Sequence, residues 1–295
     1  MKESGQAGIA LLGFGEAGRA FARGWPDGAR AKAVAYDIKF EDAALRGEVA
    51  GACGRIGIDA AESLPAALQT ASHVFSLVTA DRAQEAASQA AGFIRPAAYF
   101  LDCNSCSPAT KKASQAAIEK AGGRYVDVAI MAPVAPALHR TPLLVSGPHA
   151  GQACAWLETL GMRPSPAGTE VGQASAIKML RSVMIKGLEA LTAECMLAAR
   201  RAGVEEAVLA SLQASDPGWD WPGRLAYNLE RMMVHGERRA AEMEEVASTI
   251  TELGLPSRMA SATAAWQREL AALRLEGGPN SLADRADRIL RRLDP

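Results

Sequence analysis

Aromatic rings are scarce in this chain. Phe, Trp and Tyr make up 5% of its 295 residues, and alanine supplies much of the 49% that is hydrophobic. Small apolar side chains favour helix-rich, closely packed layers. An excess of charge is also missing. Lys and Arg number 32 against 33 Asp and Glu, a formal net charge of -1. That leaves no electrostatic case for nucleic acid or an anionic membrane surface as a partner. No run reaches the roughly 18 apolar residues of a membrane span. The opening "MKESGQAGIALLGFGEAG" holds only a short apolar stretch, broken by glycines and Glu16, unlike the core of a secretory signal. Five cysteines without such a signal do not point to a disulfide framework. The expectation is a soluble cytoplasmic protein with no membrane segment and no metal.

What is present is a change of pattern along the chain. From residue 8 to about 168, short apolar runs alternate with Ala-rich helical stretches. The strand candidates are "GIALLGF", "AKAVAYD", "GRIGIDA", "HVFSLVT", "AYFLDCN", "RYVDVAI" and "TPLLVSG". Such alternation predicts a mostly parallel sheet covered on both faces. "MRPSPAGTEVG" reads as a boundary. Residues 173–202 then read as one long helix ended by Gly203, followed by helices broken at "SDPGWDWPG" and "LGLPS". The expected organisation is an α/β domain over 1–168 and an all-α domain over 169–295, with 173–202 as the connecting helix.

Gly13, Gly15 and Gly18 form G-x-G-x-x-G directly after the first strand and at the opening of a helix. The first glycine permits a tight turn, the second lets backbone approach a pyrophosphate, and the third lets helix and strand pack closely. The helix N-terminus adds N–H donors and partial positive charge. The loop therefore marks a Rossmann-type domain, with Phe14, Glu16 and Ala17 completing the cradle. The second strand ends at Asp37, nineteen residues after Gly18, near the ~20-residue spacing of a ribose-binding acid. A carboxylate there favours NAD over NADP, because it repels a 2′-phosphate. Lys39, two residues on, is placed to bind that phosphate instead. A tight turn without any ligand is the alternative reading of the glycines.

Three further motifs resemble the β-hydroxyacid dehydrogenases, relatives of 6-phosphogluconate dehydrogenase. The family's D-x-x-T-x-x-P loop appears as Asp102, Ser105 and Pro108. Its substrate segment appears as "DVAIMAPV" from Asp127, and its G-x-G-x-x-x-K helix start as "GQASAIKMLRS", with Gly172 and Lys178. The chain departs from the family where Ser-Gly-Gly becomes Met131-Ala132-Pro133 and two asparagines become Arg181 and Ser182. The resemblance implies a divergent branch, a homodimer and a small-molecule substrate carrying a carboxylate. It implies Val78, Thr79 and Asn104 as cofactor contacts. Substrate contacts would come from Asn104, Ser105, Met131, Ala132, Pro133 and Arg181.

Lys178 is the lysine this resemblance makes catalytic. Hydride transfer between an alcohol and nicotinamide needs a group that takes or gives the hydroxyl proton, and a lysine whose pKa is lowered can do so. Lys178, Ser182, Ile185 and Glu189 share one helix face. Ser182 would hydrogen-bond the reacting oxygen, and Arg181 would supply a second cation or a fork for a carboxylate. Lys186 and Glu189 are open between an internal ion pair and a site role. Downstream, His235, Arg238, Arg239, Glu242 and Met243 fall on one face. That stripe is either a solvated charged face or a surface on which His235 or Arg239 grips an acid group. Trp219 and Trp221 either line a pocket or pack between helices.

The leading expectation is an NAD(P)-dependent oxidoreductase acting on a small hydroxy acid or related alcohol or carbonyl, at the carboxyl ends of the strands. The alternatives are an imine reductase-like NADPH enzyme and a non-catalytic dinucleotide sensor. Cys103 and Cys106 form a Cys-x-x-Cys, which raises redox and zinc chemistry. A structural zinc needs four ligands, and the other cysteines form no second pair at metal spacing. A redox dithiol needs its own fold context. The preferred reading treats both thiols as small fillers beside Asn104 and Ser105, with Pro108 opening the next helix.

Overall fold

The computed structural model describes residues 8–293. Residues 1–7, part of the segment read above against a secretion signal, lie outside them. The chain divides into two compact units, one ending at Lys178 and one beginning at Met179.

The first unit runs β1 (Gly8–Leu12), α1 (Glu16–Gly24), α2 (Asp27–Arg30), β2 (Ala33–Tyr36), α3 (Arg46–Ile56), β3 (Asp59–Ala60), α4 (Leu64–Leu68), β4 (Ala71–Ser76), α5 (Ala83–Ala91) and β5 (Tyr99–Asp102). It continues with α6 (Pro108–Lys120), β6 (Arg124–Ile130), β7 (Pro142–Ser146), α7 (Ala150–Thr159), β8 (Arg163–Gly168) and the start of α8 (Gln173–Arg201). The strands form one sheet in the order β3-β2-β1-β4-β5-β6-β7-β8. Pairs from β3 through to β6 are parallel, β7 is antiparallel to β6, and β8 is parallel to β7. The order reverses between β1 and β4. The carboxyl ends of the strands at such a switch point are the usual ligand position in sheets of this kind.

Both faces of the sheet are buried, as its continuous apolar strands require. Period-two alternation sends Ile9 and Leu11 of β1 into one core, with Phe21, Val49 and Leu157. Ala10 and Leu12 enter the other, with Leu68, Ala87 and Ile118.

Two local expectations need correction. "GRIGIDA" is not a full strand. Its first residues finish α3, Gly57 caps that helix in the left-handed region at φ 80°, and β3 keeps only Asp59 and Ala60. Conversely, the Pro-rich segment read as a boundary contains β8. Proline cannot donate to a ladder, so it suits an edge strand, and β8 pairs on one side only, with β7.

The second unit is helical. It takes the rest of α8, then α9 (Glu205–Ser215), α10 (Trp221–Glu252), α11 (Arg258–Ala272) and α12 (Leu282–Leu293). α8 stops just before Gly203, which adopts φ 73°. Asp220 caps α10 by accepting from Gly223 N, with Pro222 in the first turn. Leu197, Leu229, Met232, Leu270 and Ile289 form the main core. Gly236 lets α11 approach α10, since a Cβ there would lie 2.5 Å from Gln267 O. Among the described residues no helix is long and apolar enough to cross a membrane.

Candidate active site

The three loop glycines meet three different surroundings. Gly13 has φ 89°, and a Cβ there would lie 2.6 Å from Leu77 O. A Cβ on Gly18 would lie 2.7 Å from Gly13 O, so the third glycine is what lets α1 sit against the turn. Gly15 is different: nothing lies within 4 Å of a Cβ built on it. It is exposed and immediately precedes the first turn of α1. Protein packing therefore explains the first and third glycines and leaves the second as an open approach to helix N–H donors. That is the cradle an anionic diphosphate fits.

Asp37 follows the second strand directly and caps the short turn after it, beside this loop. Its carboxylate accepts from Phe14 N at 2.8 Å and from Lys39 N at 3.1 Å. The acid thus fixes the glycine turn as well as standing where a ribose acid is expected. Phe14 itself is fully buried, so only its backbone faces the loop. Glu16 is exposed and Ala17 half-buried. Lys39 is exposed. Val78, half-buried, and Thr79, exposed, follow the end of β4 on the same sheet edge.

At the end of β5 the loop "CNSC" separates its side chains by role. Asn104 is 3% exposed and turns inward. Its Nδ2 donates to Ser76 Oγ at 2.9 Å and to Asp102 Oδ1 at 2.8 Å. Its amide nitrogen is thus spent on holding the loop. Ser105 is half-buried, and Lys178 Nζ donates to its Oγ at 2.5 Å. Lys178 is half-buried as well. The structure therefore brings together two of the expected site residues from opposite ends of the unit. Cys103 and Cys106 are both buried and in no disulfide. Burial pushes the Cys103 thiol far above its ordinary pKa, so it stays a thiol and not a nucleophilic thiolate.

Behind the Ser105–Lys178 pair lies a polar network that sequence reasoning missed. Lys111 on α6 is completely buried, and its Nζ lies 2.9 Å from Asp102 Oδ1 and 3.4 Å from Asp127 Oδ1. Burial alone would lower the pKa of Lys111, but the two carboxylates hold it above its ordinary value. Tyr125 donates to Asp102 Oδ2 at 2.6 Å. Burial, then the Asp102 charge, raise the phenol's pKa well above the usual range. A sequence signal existed. Lys111, Ser114 and Ile118 recur at helical spacing and are the buried residues of α6, so Lys111 shares the inward face with an isoleucine.

Met131, Ala132 and Pro133 follow β6. Met131 is half-buried and the other two are exposed. Met131 N donates to Pro142 O at 2.9 Å, continuing the ladder to β7.

In the second unit the polar stripe of α10 is divided: Arg239 and Glu242 are buried, His235 is half-buried and Arg238 is exposed. Arg239 is 7% exposed and pairs with Glu189 of α8 through two hydrogen bonds, the Nε–Oε2 one at 2.8 Å. Gln267 Nε2 donates to Glu189 Oε2 at 3.1 Å. Lys186 Nζ lies 3.0 Å from Glu242 Oε2 and donates to Ser182 Oγ at 3.1 Å. Arg238 joins the same Glu242 at 2.7 Å. Lys186 and Glu189 are thus members of internal ion pairs. Ser182 is buried within that ladder, Arg181 is exposed and His235 is half-buried. Trp219 and Trp221 stack on each other with centroids 5.3 Å apart, and Trp219 is 40% exposed.

A mostly parallel sheet in this strand order, with an open glycine at a helix N-terminus and an acid after β2, defines a dinucleotide-binding protein. The profile of the NAD-binding domain of 6-phosphogluconate dehydrogenase matches residues 8–158. The chain belongs to that family. A second profile, a domain of unknown function (DUF1932), matches residues 199–270. Among solved structures, a conserved hypothetical protein from Sinorhizobium meliloti is 36% identical, covering 98% of this chain and 97% of that one with a TM-score of 0.75. A conserved protein described as structurally similar to 3-hydroxyacid dehydrogenases is 30% identical, covering 92% of this chain and 99% of that one with a TM-score of 0.68. The 3-hydroxyisobutyrate dehydrogenase of Mycobacterium tuberculosis, solved with L-serine, shares the fold. It is 17% identical, covers 98% of this chain and 99% of that one, and gives a TM-score of 0.73.

Proposed function

We propose that this protein is an NAD(P)-dependent oxidoreductase that interconverts the alcohol and carbonyl of a small carboxylate-bearing substrate. The observation that carries this reading is the half-buried Lys178, hydrogen-bonded to Ser105 at 2.5 Å on the carboxyl-end side of β5. Gly13, Gly15, Gly18 and the first turn of α1 would hold the diphosphate, and Asp37 the adenosine ribose. When bound, the nicotinamide supplies or accepts the hydride.

The chain's own part is proton management. In the oxidation direction Lys178 Nζ, deprotonated, takes the substrate hydroxyl proton as the carbonyl forms, and in reduction the ammonium returns it. Ser105 Oγ accepts from Lys178 and so orients the amine. Asn104 supports the loop from behind, and Arg181, three residues along α8, is the proposed carboxylate contact. The carboxylate substrate is supported by the likeness of a 30% identical relative to 3-hydroxyacid dehydrogenases.

The test is titration with NADH and NADPH, followed by a screen of small hydroxy acids with Lys178→Ala as control. Turnover that Lys178→Ala abolishes, with dinucleotide affinity intact, is expected. Tight dinucleotide binding with no turnover on any substrate would instead make the protein a sensor.

A further inference from the structure

Lys111 costs the core something. Its helix face is shared with Ser114 and Ile118, and an apolar residue would fill the position. Instead a cation stands fully buried between two buried carboxylates. Replacing such groups by hydrophobic ones is often neutral or stabilising, so stability alone is a poor reason for it. The connections on either side supply a better one.

Asp102 reaches toward Ser105. Its Oδ1 accepts from Asn104 N at 3.0 Å and Asn104 Nδ2 at 2.8 Å, while its backbone carbonyl accepts from Lys111 at 2.6 Å. This shapes the loop one residue before Ser105. Asp127 reaches toward Lys178. Its Oδ2 accepts from Gly172 N, Ser175 N and Ser175 Oγ, each at 3.1 Å, and from Ser146 Oγ at 3.0 Å. Ser146 Oγ in turn accepts from Ala174 N at 2.9 Å. Two side chains from neighbouring strands thus cap the start of α8, three residues before Lys178. The other oxygen of Asp127 has no hydrogen-bond partner and lies 3.4 Å from Lys111 Nζ.

We propose that Lys111 is a positioning residue. Through Asp102 it sets the Ser105 loop, and through Asp127 it sets the first turn of α8, so it holds the geometry of the Ser105–Lys178 pair. This rests on the functional reading above, in which that pair moves the proton. Lys111 acts through the two carboxylates it pairs with.

The test uses the full chain with Lys111→Met and Asp127→Asn combined. The pair of changes removes one charge of each sign, so the buried cluster keeps its net charge, and a cooperative thermal melt establishes that the variant is folded. The first readout needs no substrate: the pH dependence of acetylation at Lys178 by acetic anhydride, read by mass spectrometry. The expected result is a midpoint moved by about half a pH unit or more, because the lysine's neighbours have shifted. The second readout is turnover. It should fall roughly tenfold to a hundredfold, the cost of a displacement near 1 Å, while NADH affinity holds. A folded double variant with the wild-type acetylation midpoint and wild-type turnover overturns the proposal. Full turnover in Lys178→Ala would sink the functional reading alone, and the acetylation midpoint would still decide the role of Lys111.

Discussion

Lys178 and Ser105 meet at 2.5 Å across 73 positions of sequence. The lysine is brought by the first turns of α8 and the serine by the end of β5. If this contact orients the amine, Lys178→Ala should lower kcat by roughly 10²–10⁴-fold, the range for a lost general acid or base. Ser105→Ala should cost less and act on kcat more than on KM. Steady-state kinetics on any substrate found by screening checks both. Equal losses in dinucleotide affinity would point to a collapsed loop instead.

The glycine loop separates binding from folding. Gly15→Ala puts a methyl into open space in the free protein. Thermal stability should be unchanged, while NADH affinity falls about tenfold or more as the diphosphate loses its approach. Gly18→Ala drives its methyl against Gly13 O and should cost about 1–3 kcal/mol by overpacking. Differential scanning calorimetry and NADH fluorescence titration on both variants distinguish the two roles.

Asp37 should set the cofactor preference. Asp37→Asn can keep accepting from Phe14 N while losing the negative charge. The affinity ratio of NADPH to NADH should then rise by about tenfold as like-charge repulsion is removed. An unchanged ratio would shift attention to Lys39 as the residue that reads the 2′ position.

The Arg239–Glu189 pair is nearly inaccessible on both sides. Arg239→Met strands a buried carboxylate with only Gln267 beside it, and should cost about 3–5 kcal/mol in urea denaturation. Combining it with Glu189→Leu should recover most of that loss. A cost below about 1 kcal/mol for the single change would class the pair with solvated surface bridges.

His73 offers a pH test away from the proposed site. It stacks on Trp156 with centroids 3.6 Å apart and on Tyr99 at 5.1 Å. Burial lowers its pKa from 6.5 to about 4. The native state therefore binds fewer protons than the unfolded chain in that window. The stabilisation is complete above the unfolded value and is lost as pH falls through the folded one. His73→Phe keeps a ring in the stack without titrating, so its Tm should fall less than wild type's between about pH 7 and about pH 4.5. Parallel Tm curves would mean that other groups carry the acid sensitivity.

Much of this was legible in local pattern. The glycine spacing, the acid after the second strand and the change from alternating runs to helices are short-range signals, and they placed Gly15, Asp37 and α8 correctly in the fold. β8 was hidden because two prolines mask an edge strand whose partner lies on one side only. The site's supporting shell was hidden for a different reason. A buried lysine looks like a surface lysine until its partners are known, and the partners of Lys111 come from β5 and β6.

The sequence by itself determined the doubly covered sheet and the helical second unit, because periodicity and glycine geometry act over a few residues. The glycine spacing singled out the turn before α1, and the structure then showed that Gly15 alone of the three is unobstructed. Tertiary structure alone decided which polar groups are spent and which are available. It turned Asn104 inward, engaged Arg239 with Glu189, and set Lys178 against Ser105. A charge or amide buried without water must find its partner wherever the fold brings one, and no spacing along the chain records that choice.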